Sequence, residues 1–401
     1  MKEKKRKVPK LRFPGFTDDW EQRKLGEVVE ITMGQSPDSK NYTDNPNDHI
    51  LVQGNADMLD GQVYPRIWTT QVTKTADKGE LILSVRAPVG DVGKTKYDVV
   101  LGRGVAGIKG NDFVYYQLTK LNESGYWRRY STGSTFESIN SKDIKNAEII
   151  IPSSLEQQEV GKFMKNIDSL ITLHQRKLEH LQLKKKALLQ KLFPKAGEKY
   201  PELRFPGFTD DWEQRRLGEV TSHRGGTAIE KYFDENGEYK VISIGSYGLD
   251  SKYVDQNIRA KSNEVTNERV VHAGELTMVL NDKTANGTII GRSLLIENDN
   301  EYVINQRTEI IKPKESFNAK FAYTLLNGPF RNKVKRIVQG GTQIYVNYSS
   351  VEKLTVPLPN MKEQQKIGSL FNQLDSLIAL HQRKLDHLRL QKKALLQQMF
   401  I

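Results

Sequence analysis

The segment EQQEVGKFMKNIDSLITLHQRKLEHLQLKKKALLQKLF at Glu156–Phe193 has a near-copy, EQQKIGSLFNQLDSLIALHQRKLDHLRLQKKALLQQMF, at Glu363–Phe400. Of the 38 positions, 24 are identical, and neither copy contains a proline. In both copies mostly apolar residues recur at alternating steps of four and three, which is the heptad pattern of a coiled coil. Each segment therefore predicts a helix of about 58 Å, at about 1.5 Å per residue.

The heptad pattern also assigns the residues of each helix that face a partner helix. Because the first helix carries the chain away from one block of sequence and the second carries it back from another, we expect the two to pair antiparallel. The histidines in this seam could sense pH, set the register as polar residues, or be partly solvated. The assigned seam residues are Ile167, Ile171, His174, Leu178, Leu181 and Leu188 in the first copy, and Leu374, Ile378, His381, Leu385, Leu388 and Leu395 in the second.

A second repeat, LRFPGFTDDWEQR, occurs at Leu11–Arg23 and Leu203–Arg215, before a block that differs between the two halves. Each block is rich in β-branched residues broken by glycines, which predicts short strands and turns. Each then has a predicted helix, near Phe113–Asn122 and Phe317–Asn327, followed by a glycine-rich turn and an apolar strand that runs to a proline. The two blocks therefore predict two mixed α/β globules of one fold.

The predicted fold class is α+β, with two tandem mixed α/β domains separated by two long antiparallel coiled-coil helices in a pseudo-twofold internal repeat. The repeats also predict the domain bounds. These are a basic arm and join peptide at 1–20, a variable domain at 21–151, a helical region at 152–194, a second join peptide at 195–211, a second variable domain at 212–358 and a second helical region at 359–401.

The charge of the chain is unevenly distributed. Its net charge is +12, of which residues 1–12 carry +6 and the segments Leu155–Phe193 and Lys362–Phe400 carry +4 each. This distribution favours a polyanionic partner, most simply nucleic acid, although solvated surface and a disordered tail would give the same composition. There are no cysteines, and no apolar run approaches the roughly 18 residues of a membrane span. We expect a cytoplasmic protein without membrane contact.

Catalytic motifs are missing from the sequence wherever their spacing is known. The histidines show no H-E-x-x-H spacing, so we predict no metal site. Gly102–Gly107 reads GRGVAG and matches the dinucleotide fingerprint, but the residues that follow are a poor helix start, which the fingerprint requires. We predict no catalytic residue and no cofactor in this chain.

Over essentially its whole length, the sequence resembles the DNA-specificity subunit of a Type I restriction–modification system. The resemblance rests on the alternation of two variable blocks with two near-identical helices. It rests also on local motifs, which are IP followed by EQQ and IDSLI at 151–171, LP followed by EQQ and LDSLI at 358–378, the turns GST at 133–135 and GGT at 340–342, and GQSP at 34–37. The second copy has HRGGT at 223–227 in place of GQSP and departs from the pattern there.

The resemblance implies that each variable domain is a target-recognition domain for one half of a split double-stranded DNA sequence in a bacterial cytoplasm. It also implies two modification subunits that methylate adenine with S-adenosylmethionine, and restriction subunits driven by ATP and Mg²⁺. The chain itself would be non-catalytic. A rival hypothesis is a coiled-coil adaptor that presents two protein-binding heads; a steep salt dependence of DNA binding would separate the two.

The candidate DNA contacts are polar and basic residues in predicted loops of the variable domains, because such side chains read base edges and phosphates. Arg128 and Arg129 could equally cap the helix that precedes them. The candidates are Gln35, Ser36, Arg86, Lys94, Arg128, Arg129, Ser134 and Thr135 in the first domain, and Arg224, Asn281, Lys283, Arg292, Thr342, Gln343 and Tyr345 in the second.

Overall fold

The computed structural model describes residues 7–130 and 138–401, apart from the side chains of residues 129 and 130. This part of the chain forms two compact units. Unit 1 contains the chain up to Gln175 together with Arg383–Ile401, and unit 2 is Arg176–Gln382. Among the described residues, no helix combines the length and the apolar character that crossing a membrane requires.

Unit 1 consists mainly of short strands. They are β1 Glu21–Lys24, β2 Ile31–Met33, β3 Tyr42–Thr43, β4 His49–Val52, β5 Met58–Leu59, β6 Gln62–Val63, β7 Ile67–Thr69, β8 Lys74–Ala76, β9 Leu81–Ser84, β10 Val92–Lys94, β11 Val99–Leu101, β12 Val105–Ile108 and β13 Glu148–Ile151. Its helices are α1 Leu25–Val28, α2 Asp112–Glu123 and α3 Ser141–Lys145, with 3₁₀ turns at Ser39–Asn41, Asn55–Asp57 and Tyr126–Tyr130. The long helix α4, Ser154–Lys191, begins in unit 1 and ends in unit 2.

Unit 2 repeats this plan with other lengths. Its strands are β14 Glu213–Arg216, β15 Thr221–Gly225, β16 Tyr239–Ile242, β17 Arg259–Ala260, β18 Val270–Val271, β19 Leu276–Val279, β20 Asn281–Asp282, β21 Ser293–Leu295, β22 Tyr302–Ile304, β23 Thr308–Pro313, β24 Gln339–Gly340, β25 Ile344–Tyr345 and β26 Thr355–Leu358. Its helices are α5 Leu217–Val220, α6 Glu264–Asn267, α7 Ala319–Asn327, α8 Pro329–Lys335 and α9 Tyr348–Val351, with 3₁₀ turns at Glu230–Tyr232 and Ile244–Ser246. The last helix, α10 Met361–Met399, runs from unit 2 back into unit 1.

The sheets of both units are mixed. Unit 1 has sheets of order β2-β12-β9-β10-β6-β5 and β3-β7-β4-β11-β8, and unit 2 has sheets of order β15-β23-β19-β21, β17-β16-β22-β18 and β20-β25-β24. Most pairs are antiparallel, but β6 with β10, β4 with β11 and β16 with β22 are parallel. In each unit the strand that follows the join peptide pairs antiparallel with the strand before the long helix, as β1 with β13 and β14 with β26.

A buried ion pair attaches each join peptide to the first turn of a long helix. Arg12 donates to both carboxylate oxygens of Glu156 at 2.7 and 2.8 Å, and Arg204 donates to both of Glu363 at 2.8 Å. The glutamate side chains are each only 1% exposed. The same guanidinium groups also donate to the carbonyls of Asp18 and Asp210 at 2.7 Å. The glutamates of the two EQQ motifs therefore bind the arginines of the join peptides.

The leucine before each of these arginines binds the last turn of a long helix. The N–H of Leu11 donates to the carbonyl of Gln398 at 2.9 Å, and that of Leu203 donates to Lys191 at 2.8 Å. Phe400 stacks on Phe113 at 5.1 Å between ring centroids, in a cluster that includes Trp20. The C-terminal end of α10 therefore lies beside the first join peptide.

A glycine in each long helix allows α2 or α7 to pack closely against it. A Cβ atom at Gly161 of α4 would lie 2.9 Å from the backbone nitrogen of Phe113, and one at Gly368 of α10 would lie 2.7 Å from that of Phe321. Real Cβ atoms do not approach backbone this closely, so only glycine fits. The glycine that is repeated in the two helical segments is thus explained by helix packing.

The long helices pair antiparallel, as the sequence predicts, and the evidence is present within each unit. In unit 1, Asp168 of α4 pairs with Lys392 of α10 at 2.6 Å, and Gln175 lies further along α4, hydrogen-bonded to Arg389, which is earlier in α10. In unit 2, Lys185 pairs with Asp375. Lys392 and Lys185 thus each have an aspartate of the repeated DSLI motif as their partner. The heptad pattern did not indicate these partners.

Burial differs along the predicted seam. Ile167, Leu178, Leu374 and Leu385 are 8% exposed or less. The remaining assigned seam residues are partly buried, and these are Ile171, His174, Leu181, Leu188, Ile378, His381, Leu388 and Leu395.

The predicted helices and strands are confirmed with small shifts in their ends. The helix predicted from Phe317 begins at Ala319, because the side chain of Asn318 caps it by accepting the N–H of Phe321. GRGVAG lies in a loop and in strand β12, so no helix opens there. The domain bounds proposed from the repeats stay a prediction.

Replacing Arg204 with alanine leaves the carboxylate of Glu363 buried and without its cation, so we expect a loss of about 3 kcal/mol in the free energy of unfolding. The double variant Arg204→Ala/Glu363→Gln should recover part of this loss, since it removes the buried charge. Arg215→Ala is the matched control, because its pair with Glu219 is exposed and such pairs contribute little to stability. Urea unfolding measures all three, and equal losses for Arg204→Ala and Arg215→Ala would contradict the assignment.

Candidate nucleic-acid interface

Three segments of unit 1 meet at the end of strand β9. The N–H of Val85 donates to the carbonyl of Gly104 at 2.9 Å, and the N–H of Ile139 donates to the carbonyl of Val85 at 3.0 Å. Arg86 forms an antiparallel bridge with Ser138. The backbone at Arg86 therefore lies beside the loop at 102–104 and beside Ser138, and its side chain is exposed.

The loop that contains Gln35 and Ser36 joins the same edge. The N–H of Gln35 donates to the carbonyl of Leu101 at 2.8 Å, and the N–H of Arg103 donates to the hydroxyl oxygen of Ser36 at 3.1 Å. The backbone at Gly34 approaches the carbonyl of Gly102 so closely that a Cβ atom would clash with it. Gln35, Ser36, Arg86 and the exposed Arg103 thus form one polar and basic edge.

Unit 2 builds this edge with the same backbone hydrogen bonds. The N–H of Leu280 donates to the carbonyl of Arg307 at 2.9 Å, and the N–H of Val346 donates to Leu280 at 2.9 Å. Asn281 is the register partner of Tyr345 in the pairing of β20 with β25. Asn281, Arg307 and Tyr345 therefore occupy the places that Arg86, Gly104 and Ser138 occupy in unit 1. We call these two arrangements the reading edges.

The turn between β24 and β25 extends the reading edge of unit 2. Thr342 and Gln343 lie in this turn with exposed side chains, and Tyr345 follows them with 38% of its surface exposed. Lys283 is also exposed and comes directly after β20. Exposed amide, hydroxyl and basic groups of this kind donate to base edges and phosphates. The chemistry of both reading edges suits DNA.

A comparison with known protein families agrees with this chemistry. The model of the family described as "Type I restriction modification DNA specificity domain" matches residues 17–183 and again residues 209–390. The chain belongs to this family. It is a Type I restriction–modification specificity subunit, whose general role is DNA recognition, and the two matches coincide with the two halves of the internal repeat.

Individual relatives and a solved structure are similar over different lengths. The MjaX specificity subunit of Methanocaldococcus jannaschii is 34% identical over 185 residues, which are 44% of this chain and 43% of that protein, so the match spans less than half of the relative. The MjaIX specificity subunit of the same organism is 24% identical over 94% of this chain and 92% of its own length. The crystal structure of the S subunit from M. genitalium superposes with a TM-score of 0.63 at 16% identity, covering 98% of this chain and 99% of that one, which shows a shared fold.

The structure places several predicted DNA contacts away from the reading edges. Lys94 lies opposite Leu81, at the other end of β9 from Arg86, and its ammonium donates to Asp112 at 2.7 Å. Burial acts to raise the pKa of Asp112, but the hydrogen bonds and charges of Lys94 and Lys165 outweigh it and lower that pKa. This intramolecular pair explains the presence of Lys94 without DNA.

Arg224 and Arg292 are also held by protein groups. Arg224 lies on β15, and its guanidinium donates to the carboxylate of Glu275 at 3.1 Å and to the carbonyl of Val270 at 3.2 Å. Arg292 donates to the carbonyl of Thr288 at 2.9 Å and to the hydroxyl of Ser251 at 3.0 Å. We therefore assign both side chains to structural networks of unit 2, and their contact with DNA stays untested.

The remaining candidates lie near the glycine-rich turn of unit 1. Arg128 is exposed in the 3₁₀ turn at Tyr126–Tyr130. Ser134, Thr135 and the side chain of Arg129 fall outside the described residues. Within residues 7–130 and 138–401, no group of three or more His, Asp or Glu side chains is arranged to hold a metal ion.

Sequence reasoning missed Arg103 and Arg307, which the structure brings to the two reading edges. Both are exposed and lie in short loops between buried strands, β11 and β12 in unit 1 and β22 and β23 in unit 2. A basic residue in a short loop between two apolar strands was the available signal. In the first block Arg103 lies within GRGVAG, which also matches the dinucleotide fingerprint.

Replacing Arg103 or Arg307 with alanine should weaken binding to duplex DNA and lower the slope of log K against log salt by about 0.9 for each phosphate group that is no longer bound. Fluorescence anisotropy with labelled duplex over a range of salt concentrations measures this slope. Arg23→Ala removes the same charge from a side chain of β1 that is paired with Glu27 of α1. This variant should leave the slope unchanged. If all three variants behave alike, the reading edges do not carry the phosphate contacts.

Proposed function

We propose that this specificity subunit reads a bipartite, asymmetric DNA target, one half with each reading edge. The observation that carries the proposal is that the same backbone frame occurs twice and presents different side chains. Unit 1 presents Arg86 and Arg103, and unit 2 presents Asn281 and Tyr345 at the end of the matching strand. Arg pairs best with guanine and Asn with adenine in the major groove, so unlike side chains on one frame select unlike bases.

The long helices support a second part of the proposal, the binding of two identical partners. Leu170 and Leu173 lie on one face of α4 in unit 1, and their repeat equivalents Leu377 and Leu380 lie on α10 in unit 2, all between 38% and 45% exposed. Exposed apolar pairs of this kind are typical of protein-binding surfaces. Because each pair occurs once in each copy of the helix, we infer that each accepts one modification subunit.

The register of the helix pair adds a third leucine to each surface. Since Asp168 pairs with Lys392, Leu390 lies at the level of Leu170 in unit 1, and it is 67% exposed. The pairing of Lys185 with Asp375 gives Leu183 the same position relative to Leu377 in unit 2. Each unit therefore offers an equivalent set of three exposed leucines to a partner.

The chemistry would then lie in the partners. We propose that two modification subunits methylate adenine in the recognised sequence with S-adenosylmethionine, and that restriction subunits cleave unmodified DNA with ATP and Mg²⁺. This chain would contribute geometry and base recognition and no catalytic group. This division of labour fits a subunit whose helices are repeated almost unchanged while its reading edges differ.

Exchange of one recognition block tests the bipartite reading. When residues 29–149 are replaced by the corresponding block of a related specificity subunit, we expect one half of the methylated sequence to change and the other half to stay. Genome-wide mapping of methylated adenines, in cells that also express the modification subunit, gives both halves at once. A change in both halves would show that the units do not read independently, and methylation by this chain alone would contradict a non-catalytic role.

Charged substitutions of the exposed leucines test partner binding. The double variant Leu170→Glu/Leu173→Glu should lose one of two modification subunits, because burying two carboxylates at an apolar contact is unfavourable. Adding Leu377→Glu/Leu380→Glu should remove the second. Native mass spectrometry of the complex counts the subunits. Leu155→Glu, at an exposed leucine in the first turn of α4, is the control, and two bound subunits in the quadruple variant would exclude this surface.

A further inference from the structure

The loop at 283–290 of unit 2 is organised by one buried carboxylate. Asp282 is 2% exposed and accepts the N–H groups of Thr284 at 3.0 Å and Ile289 at 2.7 Å, and the hydroxyl of Thr284 at 2.9 Å. Weaker hydrogen bonds come from the hydroxyl of Thr288 and the N–H of Ile290 at 3.4 Å. Both ends of the loop therefore bind the same side chain.

A guanidinium group holds the carbonyl groups of the same loop. Arg331 of α8 donates to the carbonyls of Gly287 and Ile290 at 2.9 Å and of Thr288 at 2.7 Å. Arg292 donates to the carbonyl of Thr288 as well, at 2.9 Å. Since a planar guanidinium has fixed donor directions, Arg331 constrains the loop more strongly than a lysine would.

The loop shape also depends on Gly287. Its φ of +60° lies in the left-handed region that favours glycine. Residues 283–286 between the two anchored ends are exposed, whereas Asp282 and Gly287 are buried. Asp282, Arg331 and Gly287 thus form an anchor for the loop. This loop anchor carries an exposed tip, Lys283-Thr284-Ala285-Asn286, next to the pairing of Asn281 with Tyr345.

The charges around this loop anchor favour an anionic ligand. Burial and, to a smaller extent, the positive charge of Arg292 lower the pKa of Arg331 to about 10, while Asp282 opposes both. The pKa of Lys335 is also lowered, by burial and then by Arg331 and Arg292. Arg331 and Lys335 therefore lie near Asp282, and Arg292 lies near both of these cations and is attracted by Asp250. A cationic surface beside exposed amide and ammonium groups suits the DNA backbone.

Among its described residues, the first unit has no equivalent of this loop anchor, although it shares the frame of the reading edge. By the matching hydrogen bonds of Val85 and Leu280, the position of Asp282 corresponds to Ala87. The segment there is held instead by the hydroxyl of Ser84, which donates to the carbonyls of Arg86 and Pro88 at 2.9 Å. The Asp282–Arg331 arrangement is therefore a feature of one recognition domain and not a requirement of the fold.

We propose that Asp282 and Arg331 are positioning residues that hold the tip at 283–286 in the conformation that reads bases of one half-site. The inference rests on the proposed function, since it assumes that unit 2 reads DNA. A side chain held in place before binding loses little conformational freedom on contact, so its discrimination between bases is greatest. The tip supplies Lys283 and Asn286 as the groups that face DNA.

The test uses the complete chain with its modification subunit in cells without other adenine methylation, and maps methylated adenines across the genome. Asp282→Ala and Arg331→Ala should each relax the base preference at the same positions of one half-site, by roughly 5- to 100-fold at each affected base, and leave the other half-site unchanged. Arg331→Lys should not restore the preference. Arg259→Ala is the control, because it removes one positive charge from unit 2 at a side chain paired with Asp255.

A loss of stability alone would lower methylation of all sites equally and leave the sequence preference intact, and that result would overturn the proposal. The tip variant Lys283→Ala/Asn286→Ala keeps the loop anchor intact, so it remains informative even when Asp282→Ala does not fold. It should relax the same half-site positions, and an unchanged preference would likewise overturn the proposal. If the unmodified chain directs no bipartite methylation, the proposed function itself has failed, which is distinct from either outcome.

Discussion

The bidentate pair between an arginine of the join peptide and the first glutamate of a long helix is the interaction on which both halves of this protein depend. Arg12 and Arg204 each bind a glutamate that is almost completely buried, and each also binds a backbone carbonyl of the aspartate pair in its own peptide. A buried carboxylate is stable only with a partner in good geometry. The pair therefore fixes where the chain enters each recognition domain relative to the helix that leaves it.

The contacts near this pair show why so much of the sequence is repeated. Gln364 donates to the carbonyls of Ser316 and Pro359 and accepts the N–H of Asn318, which links α10 to the start of α7. In the first half Gln157 donates to Pro152 and accepts from Asn111. Together with Gly161 and Gly368, these residues form a fixed joint between helix and domain. Beyond this joint the variable blocks differ in sequence.

Much of the fold could be predicted from the sequence because its signals are periodic or repeated. The heptads predicted both long helices, and the doubled order of segments predicted two domains of one fold. The pairing of Asp168 with Lys392 was not predictable, since the heptad places the lysine in the seam but does not identify its partner. Asp282 was missed for a similar reason, because a buried carboxylate that binds five groups of a nearby loop looks like an ordinary turn residue in sequence.

The candidate site was predicted less completely than the fold. Arg86, Asn281 and Tyr345 follow strands or glycine-rich turns in the sequence, and the structure brings the last two into register, while their contact with DNA stays a prediction. Arg224 and Lys94 were chosen by residue type alone, and the structure gives both an internal carboxylate partner. Whether a basic side chain faces solvent or a buried acid depends on tertiary contacts that a single sequence does not contain.

The repeated aspartate–lysine pairs of the helices have an evolutionary consequence. Asp168 binds Lys392, and the repeat equivalents of these residues, Asp375 and Lys185, bind each other in the same way. The helix surface is therefore complementary to its own copy, so a half carrying this helix fits any other half that carries it. If each block reads one half-site, as proposed, recombination at the repeated segments would join blocks from different relatives without changing these helix contacts.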